Sequence, residues 1–170
     1  MARVAIRFGL GPIVTTGIAA GIIFAVFEMF AAAILMGVEA AVMPLRMIGA
    51  MVLGSAALDP GYPPEIAATT GVIVHMVLSV AFAGVFAALV SPVATTAVGD
   101  VLSTPRGLAL AGILFGTALW LVNFYIVAPA VGWTWFPEQT NRAVQLMAHA
   151  FFFGAPVGWI LGRSRANIRI

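Results

Sequence analysis

The chain has 170 residues, 62% of them hydrophobic and 8% charged, with 8 basic and 6 acidic side chains and a formal net charge of +2. A soluble domain carries about 25% charged residues, so this composition excludes a soluble enzyme and indicates a chain that lies in lipid. The basic residues are arginines scattered at chain ends and loops, with no basic stripe, which excludes nucleic-acid binding; the absence of cysteine excludes disulfides, thiolate catalysis, Fe–S clusters and thiolate zinc.

The opening MARVAIRFGLGPIVTTGIAAGIIFAVF sets arginines before an apolar run, as a secretory signal does, yet the run continues past residue 34 with no polar cleavage region. That length predicts a retained first membrane helix over residues 12–37. Residues 43–58, MPLRMIGAMVLGSAAL, begin with Pro44 and Arg46 and fall short of a full span, which predicts an interfacial or re-entrant helix. Met43, Met47 and Met51 recur on it at every fourth position, a stripe expected to face lipid or packing rather than copper. Arg46 is expected at the outer interface, snorkelling to phosphates or meeting Glu39. Further spans are expected at residues 66–90, 107–130 and 142–162. The first two of these are separated by the polar, proline-punctuated loop SPVATTAVGDVLSTPRG.

Arginine placement favours four spans over five. Four spans put Arg3, Arg7, Arg106, Arg163, Arg165 and Arg169 on one side and leave Arg46 and Arg142 on the other, so both termini are expected to be cytoplasmic. The outer loops then hold Tyr62, Trp133, Trp135 and Phe136, ring types that prefer headgroup depth. A weak internal repeat divides the chain into two like hairpins, possibly related by a pseudo-two-fold axis. The first and third spans each place Gly, Gly and a polar residue at matching intervals (Gly17, Gly21, Glu28; Gly112, Gly116, Asn123). His75 and Gly84 match His149 and Gly158 in the second and fourth. The small-xxx-small pairs Gly17/Gly21, Gly112/Gly116 and Gly154/Gly158 predict close helix packing.

His75 and His149 are the only histidines. By residue count from the span ends, Glu28, His75, Asn123 and His149 should occupy nearly one layer in the outer half of the membrane, one from each helix. Intramembrane ionisable groups face the interior and find partners. If the second and fourth helices lie diagonally opposite in a bundle, the imidazoles face each other. Three functional expectations follow. The two rings could ligate a haem b, with Glu28 or Asn123 in support. His75, His149 and Glu28 could form a two-histidine, one-carboxylate site for a divalent metal. The ring of polar groups could instead line a proton or quinone path. The structural alternative is that these groups hydrogen-bond one another to fix helix register. Ser79, one turn after His75, has no acidic group to complete a nucleophilic triad and is expected to bond its own helix carbonyl.

The segments MPLRMIGAMVLG, VHMVLSVAFAG, WLVNFYIVAP and AHAFFFGAPVGW resemble a family of small, uncharacterised bacterial integral-membrane proteins. The resemblance implies a bacterial cytoplasmic-membrane location and four helices, and it implies no activity. The sequence therefore predicts a single all-α transmembrane domain, a polytopic four-helix bundle with one short interfacial or re-entrant helix, surrounded by the lipid bilayer. Its buried Glu28, His75, Asn123 and His149 are expected to bind haem or a metal ion or to relay protons. The alternatives are an accessory or scaffold subunit, homo-oligomeric or part of a larger membrane complex, and then a small transporter or channel.

Overall fold

The computed structural model describes residues 8–93 and 99–164. Arg3, Arg7, Arg165 and Arg169, and the middle of the loop before Arg106, lie outside the described residues. Among the described residues the chain is helical, with no strand. Helix α1 is Leu10–Met36, α2 is Met43–Leu53 and α3 is Pro64–Val93. Two further long helices follow, α4 over Pro105–Ala130 and α5 over Arg142–Arg163. Single turns at Val38–Val42, Ser55–Leu58 and Gly99–Leu102 and the short helix Trp135–Gln139 connect them. The four helices α1, α3, α4 and α5 are long and apolar enough to cross a membrane, and each begins within two residues of its expected start.

Local chemistry sets the ends. Gly37 (φ +101°) stops α1 and Gly54 (φ +82°) stops α2, both in the left-handed region that glycine enters without a Cβ penalty. The apolar run 43–58 is therefore not one helix: Gly54 breaks it after Leu53. Thr104 caps α4 by accepting from the Gly107 N–H at 3.0 Å, with Pro105 in the first turn where its missing N–H costs nothing. Asn141 caps α5, its Oδ1 accepting from the Ala143 and Val144 N–H groups at 3.0 and 3.2 Å.

Glycine decides the packing. Gly17 and Gly21 lie directly against Val80 and Ser79 of α3, so α1 and α3 run antiparallel in contact. Gly112 and Gly116 meet Gly154, Gly158 and the His149 carbonyl, bringing α4 equally close to α5. All three small-xxx-small pairs thus serve close packing inside the chain. A fourth close approach was not foreseen: Gly49 of α2 and Gly71 of α3 touch, with Gly71 against the Leu45 carbonyl and Gly49 against that of Ala67. Helix α2 therefore runs antiparallel beside the first turns of α3. The two hairpins join where α1 meets α5, through Phe27 stacked on Phe152 at 3.8 Å and Phe24 edge-on to Phe153 at 6.3 Å. Helices α3 and α4 scarcely approach along their backbones, and side chains such as Phe86 and Phe115 (5.4 Å) bridge the gap.

The main core is formed by Ala20, Phe24, Ala83, Phe86, Leu108, Phe153, Val157 and Leu161. Outward positions carry large apolar residues in the open, Ile34 at 78% and Leu114 at 72% exposure among them. A second, smaller core at the α2 end gathers Met47, Ala50, Ala57, Ala67 and Trp135, with Tyr62, Trp133 and Phe136 packed on it. Trp135 is buried there and its indole N–H donates to the Met47 carbonyl at 3.2 Å. These rings tie the 131–141 connection to α2 and α3.

Arg46 also departs from expectation. It is only 9% exposed and its Nη2 donates to the carbonyls of Ala57 and Asp59, both at 2.9 Å. It neither snorkels nor meets Glu39, which is exposed on the turn before α2. The reason is geometric: the turn Ser55–Leu58 and the Asp59 that follows it bring two carbonyls within reach of one guanidinium, that of Asp59 also accepting from the Tyr62 N–H at 3.1 Å.

Candidate functional site

A partly open cavity of about 360 Å³ lies between α1, α3, α4, α5 and α2. Glu28, His75, Asn123 and His149 all line it, so the four polar residues singled out in the sequence do converge on one space. They do not form one layer. His75 and His149 both pack on Phe24, with ring centroids 5.1 and 4.9 Å away. Glu28 stands four residues further along α1, one turn of about 5.4 Å nearer the α2 end. There the Gln145 side-chain amide donates to its Oε1 at 2.5 Å. Residue counts along separate helices do not carry their relative register, so the stagger was not legible from them.

Each imidazole uses one nitrogen on a backbone carbonyl. A carbonyl can only accept, so these contacts fix the tautomers. His75 Nε2–H donates to the Gly21 carbonyl at 2.9 Å, which leaves Nδ1 with its lone pair. His149 Nδ1–H donates to the Gln145 carbonyl at 2.8 Å, which leaves Nε2 with its own. Both rings are buried, at 7% and 8% exposure, and Glu28 is at 5%. None of the four hydrogen-bonds to another of the four. Two of them instead bond across helix contacts, His75 to the Gly21 carbonyl of α1 and Glu28 to the Gln145 amide of α5. Ser79 lines the cavity against Gly21 and makes no bond to its own helix carbonyl.

The local backbone positions two of these residues in an unexpected way. Asn123 opens a π-helical segment, Asn123–Val127, inside α4, and His149 lies in another, Ala148–Gly154, inside α5. In each the acceptor shifts from four to five residues back: Ala128 N–H donates to the Asn123 carbonyl and Ala155 N–H to the Ala150 carbonyl. Both segments end two residues before a proline, Pro129 and Pro156. A proline inside a helix lacks its N–H and presses on the carbonyl four residues earlier. Widening the preceding turn relieves that clash, and such widened turns recur at functional sites.

The donor set does not fit a metal ion: among the described residues no group of three His, Asp or Glu side chains is placed to hold one. The two histidines share Phe24 as an aromatic neighbour, and each ring already bonds a backbone carbonyl through one of its nitrogens.

The rest of the wall is apolar. Met36, Met43, Met47 and Met51 line it from the α2 side, so the methionine stripe faces the cavity, with Met47 and Met43 also packed in the second core. Six aromatic residues line it as well: Phe24, Phe82, Phe124, Trp133, Phe136 and Phe153. Sequence reasoning missed Gln145, although it lies one turn before His149 and so on the same helix face. It also missed Phe24, whose neighbours along the chain are equally apolar. Compared with known proteins, the chain matches no family model, no curated protein and no solved structure. The site is accordingly read from its own geometry.

Proposed function

We propose that this is a multi-pass protein of the bacterial cytoplasmic membrane that binds a lipophilic small molecule with a polar head in the cavity beside Phe24. The observation that carries the reading is the convergence of Glu28, Gln145, His75, Asn123 and His149 on one mostly apolar, partly open space of about 360 Å³. Ligand pockets have this volume and this make-up, a few placed polar groups in an apolar wall. Two lone-pair ring nitrogens and a carboxyl are available to orient a head group. The methionines supply an adaptable surface for an apolar body.

In this reading the four long helices form a membrane-spanning bundle, α2 is a re-entrant helix that closes one side, and α1 begins and α5 ends on the cytoplasmic side, where Arg106 and Arg163 also lie. The run of exposed aliphatic residues supports the lipid environment. A scaffold role draws less support, because the glycine faces that would dock on a partner are used within the chain.

Saturable binding of the neutral fluorescent lipophile Nile red to detergent-purified protein tests the proposal, with Ala32→Trp as the cavity-filling control. Ala32 lines the cavity and is half-buried. Stoichiometric binding lost in Ala32→Trp supports the reading; equal signal from both proteins overturns it.

A further inference from the structure

We infer that the occupant of this cavity is a lipophilic organic cation, an amine or quaternary ammonium on an apolar body. The inference rests on the ligand-binding reading above and adds the chemical class of the ligand.

The first observation is an imbalance of charge. Among the described residues Glu28 is the acidic one on the cavity wall, and no arginine or lysine lines the cavity. Its hydrogen-bond partner there is the neutral Gln145 amide, and no ion pair is formed with a described residue. A carboxyl held this deep is expensive unless neutral or paired, and buried charges in membrane segments are matched. Among the described residues no matching cation faces it. Arg46, the nearest in sequence to the wall residues of α2, is committed to the carbonyls of Ala57 and Asp59 on the opposite face of that helix.

The second observation is the character of the other polar groups. Each imidazole has spent its proton on a carbonyl, so both free ring nitrogens are acceptors. With Glu28 the polar groups favour a donor or a positive charge over an anion or a bare acceptor.

The third is the wall itself. Phe24, Phe82, Phe124, Trp133, Phe136 and Phe153 surround the space from five different parts of the chain. Aromatic faces attract ammonium groups, most strongly when water is excluded, and aromatic cages are the usual receptors for quaternary ammonium. Methionine thioethers are polarisable and adapt to ligands of varied shape. A carboxyl, aromatic rings and a methionine wall in one mostly apolar cavity suit a charged head with a bulky apolar body, and an apolar molecule without charge or donor gains nothing from the carboxyl.

Equilibrium dialysis of tetraphenylphosphonium against the full chain in detergent micelles tests this, with neutral tetraphenylmethane and anionic tetraphenylborate as competitors of the same shape. The expected result is saturable cation binding that neither competitor displaces, weakened roughly tenfold or more in Glu28→Gln. A Trp133→Leu variant, which removes a ring and leaves the carboxyl, should weaken the cation more than it weakens Nile red. Should Glu28→Gln not fold, the wild-type competition still decides. If tetraphenylmethane competes as well as the cation, or if the cation does not bind while Nile red does, the inference is overturned and the ligand-binding reading stands. If neither probe binds, both fall.

Discussion

The side-chain amide of Gln145 donates to Glu28 Oε1 at 2.5 Å across the contact between α1 and α5, joining residues 117 positions apart. It is a polar link between the two hairpins, and both residues line the cavity. Gln145→Leu removes the donor and leaves the carboxyl without a protein partner. The loss should be on the order of 1 kcal/mol, since intramembrane hydrogen bonds are individually weak and an orphaned buried acceptor adds to the cost. Thermal unfolding in detergent, monitored by circular dichroism, checks it. Glu28→Gln keeps an amide–amide pair and should cost less than Glu28→Ala; an equal loss in both would mean that the hydrogen bond contributes little.

Helix α2 is held by contact and not by its own length. A Cβ on Gly71 would run into the Leu45 carbonyl backbone. Gly71→Ala should therefore destabilise by about 1–3 kcal/mol, the usual cost of overpacking, and loosen α2 from α3. Limited proteolysis should then cut the 54–62 connection sooner than in the parent. Gly84→Ala is the control, because a Cβ there meets only the Ile13 methyl at an ordinary 3.7 Å; it should be neutral or slightly stabilising.

Arg46 and Glu39 separate the two accounts of the outer turn. Bonds from a charged donor to buried carbonyls contribute about 1.5–3 kcal/mol each in favourable cases. Arg46→Ala should accordingly cost about 2 kcal/mol or more, with Arg46→Lys recovering only part because ammonium does not bridge two carbonyls as a guanidinium fork does. Glu39→Ala should stay within about 0.5 kcal/mol, as an exposed residue without a special contact does. A double-mutant cycle on chemical unfolding in mixed micelles gives the coupling directly. A coupling energy clearly above zero between Arg46 and Glu39 would restore the ion pair that the geometry denies.

The π-helical segments make a prediction about shape. Pro156→Ala restores an N–H and removes the ring that presses on the preceding turn, so Ala148–Gly154 can relax to an α-helix. That change would rotate His149 away from Phe24. Spin labels at exposed positions on the two ends of α5 should report a lengthened helix, and ligand binding should fall while thermal stability holds or rises. Unchanged distances together with unchanged binding would show that proline does not maintain the widened turn.

How much of this was readable beforehand differs from residue to residue. The four long helices were legible because a run of about 20 apolar residues admits few other structures, and their starts fall within two residues of expectation. The glycine pairs were legible as packing faces because only glycine allows backbones to touch. Glu28, His75, Asn123 and His149 stood out because polar groups are rare in such runs, and all four do line one cavity.

Partners were not legible. Nothing in the sequence says that the imidazole protons go to Gly21 and Gln145 carbonyls, that Phe24 stands against both rings, or that Arg46 turns inward to Ala57 and Asp59. Nor does it set the one-turn stagger between Glu28 and the histidines. Composition and apolar run length determined the number of helices long and apolar enough to cross a membrane and the identity of the polar residues in them, because these depend on each segment alone. Helix register, the inward methionine wall and the proton assignment of each histidine were decided by tertiary structure. They depend on where glycine lets two backbones meet, and on which carbonyl then comes within reach of which ring.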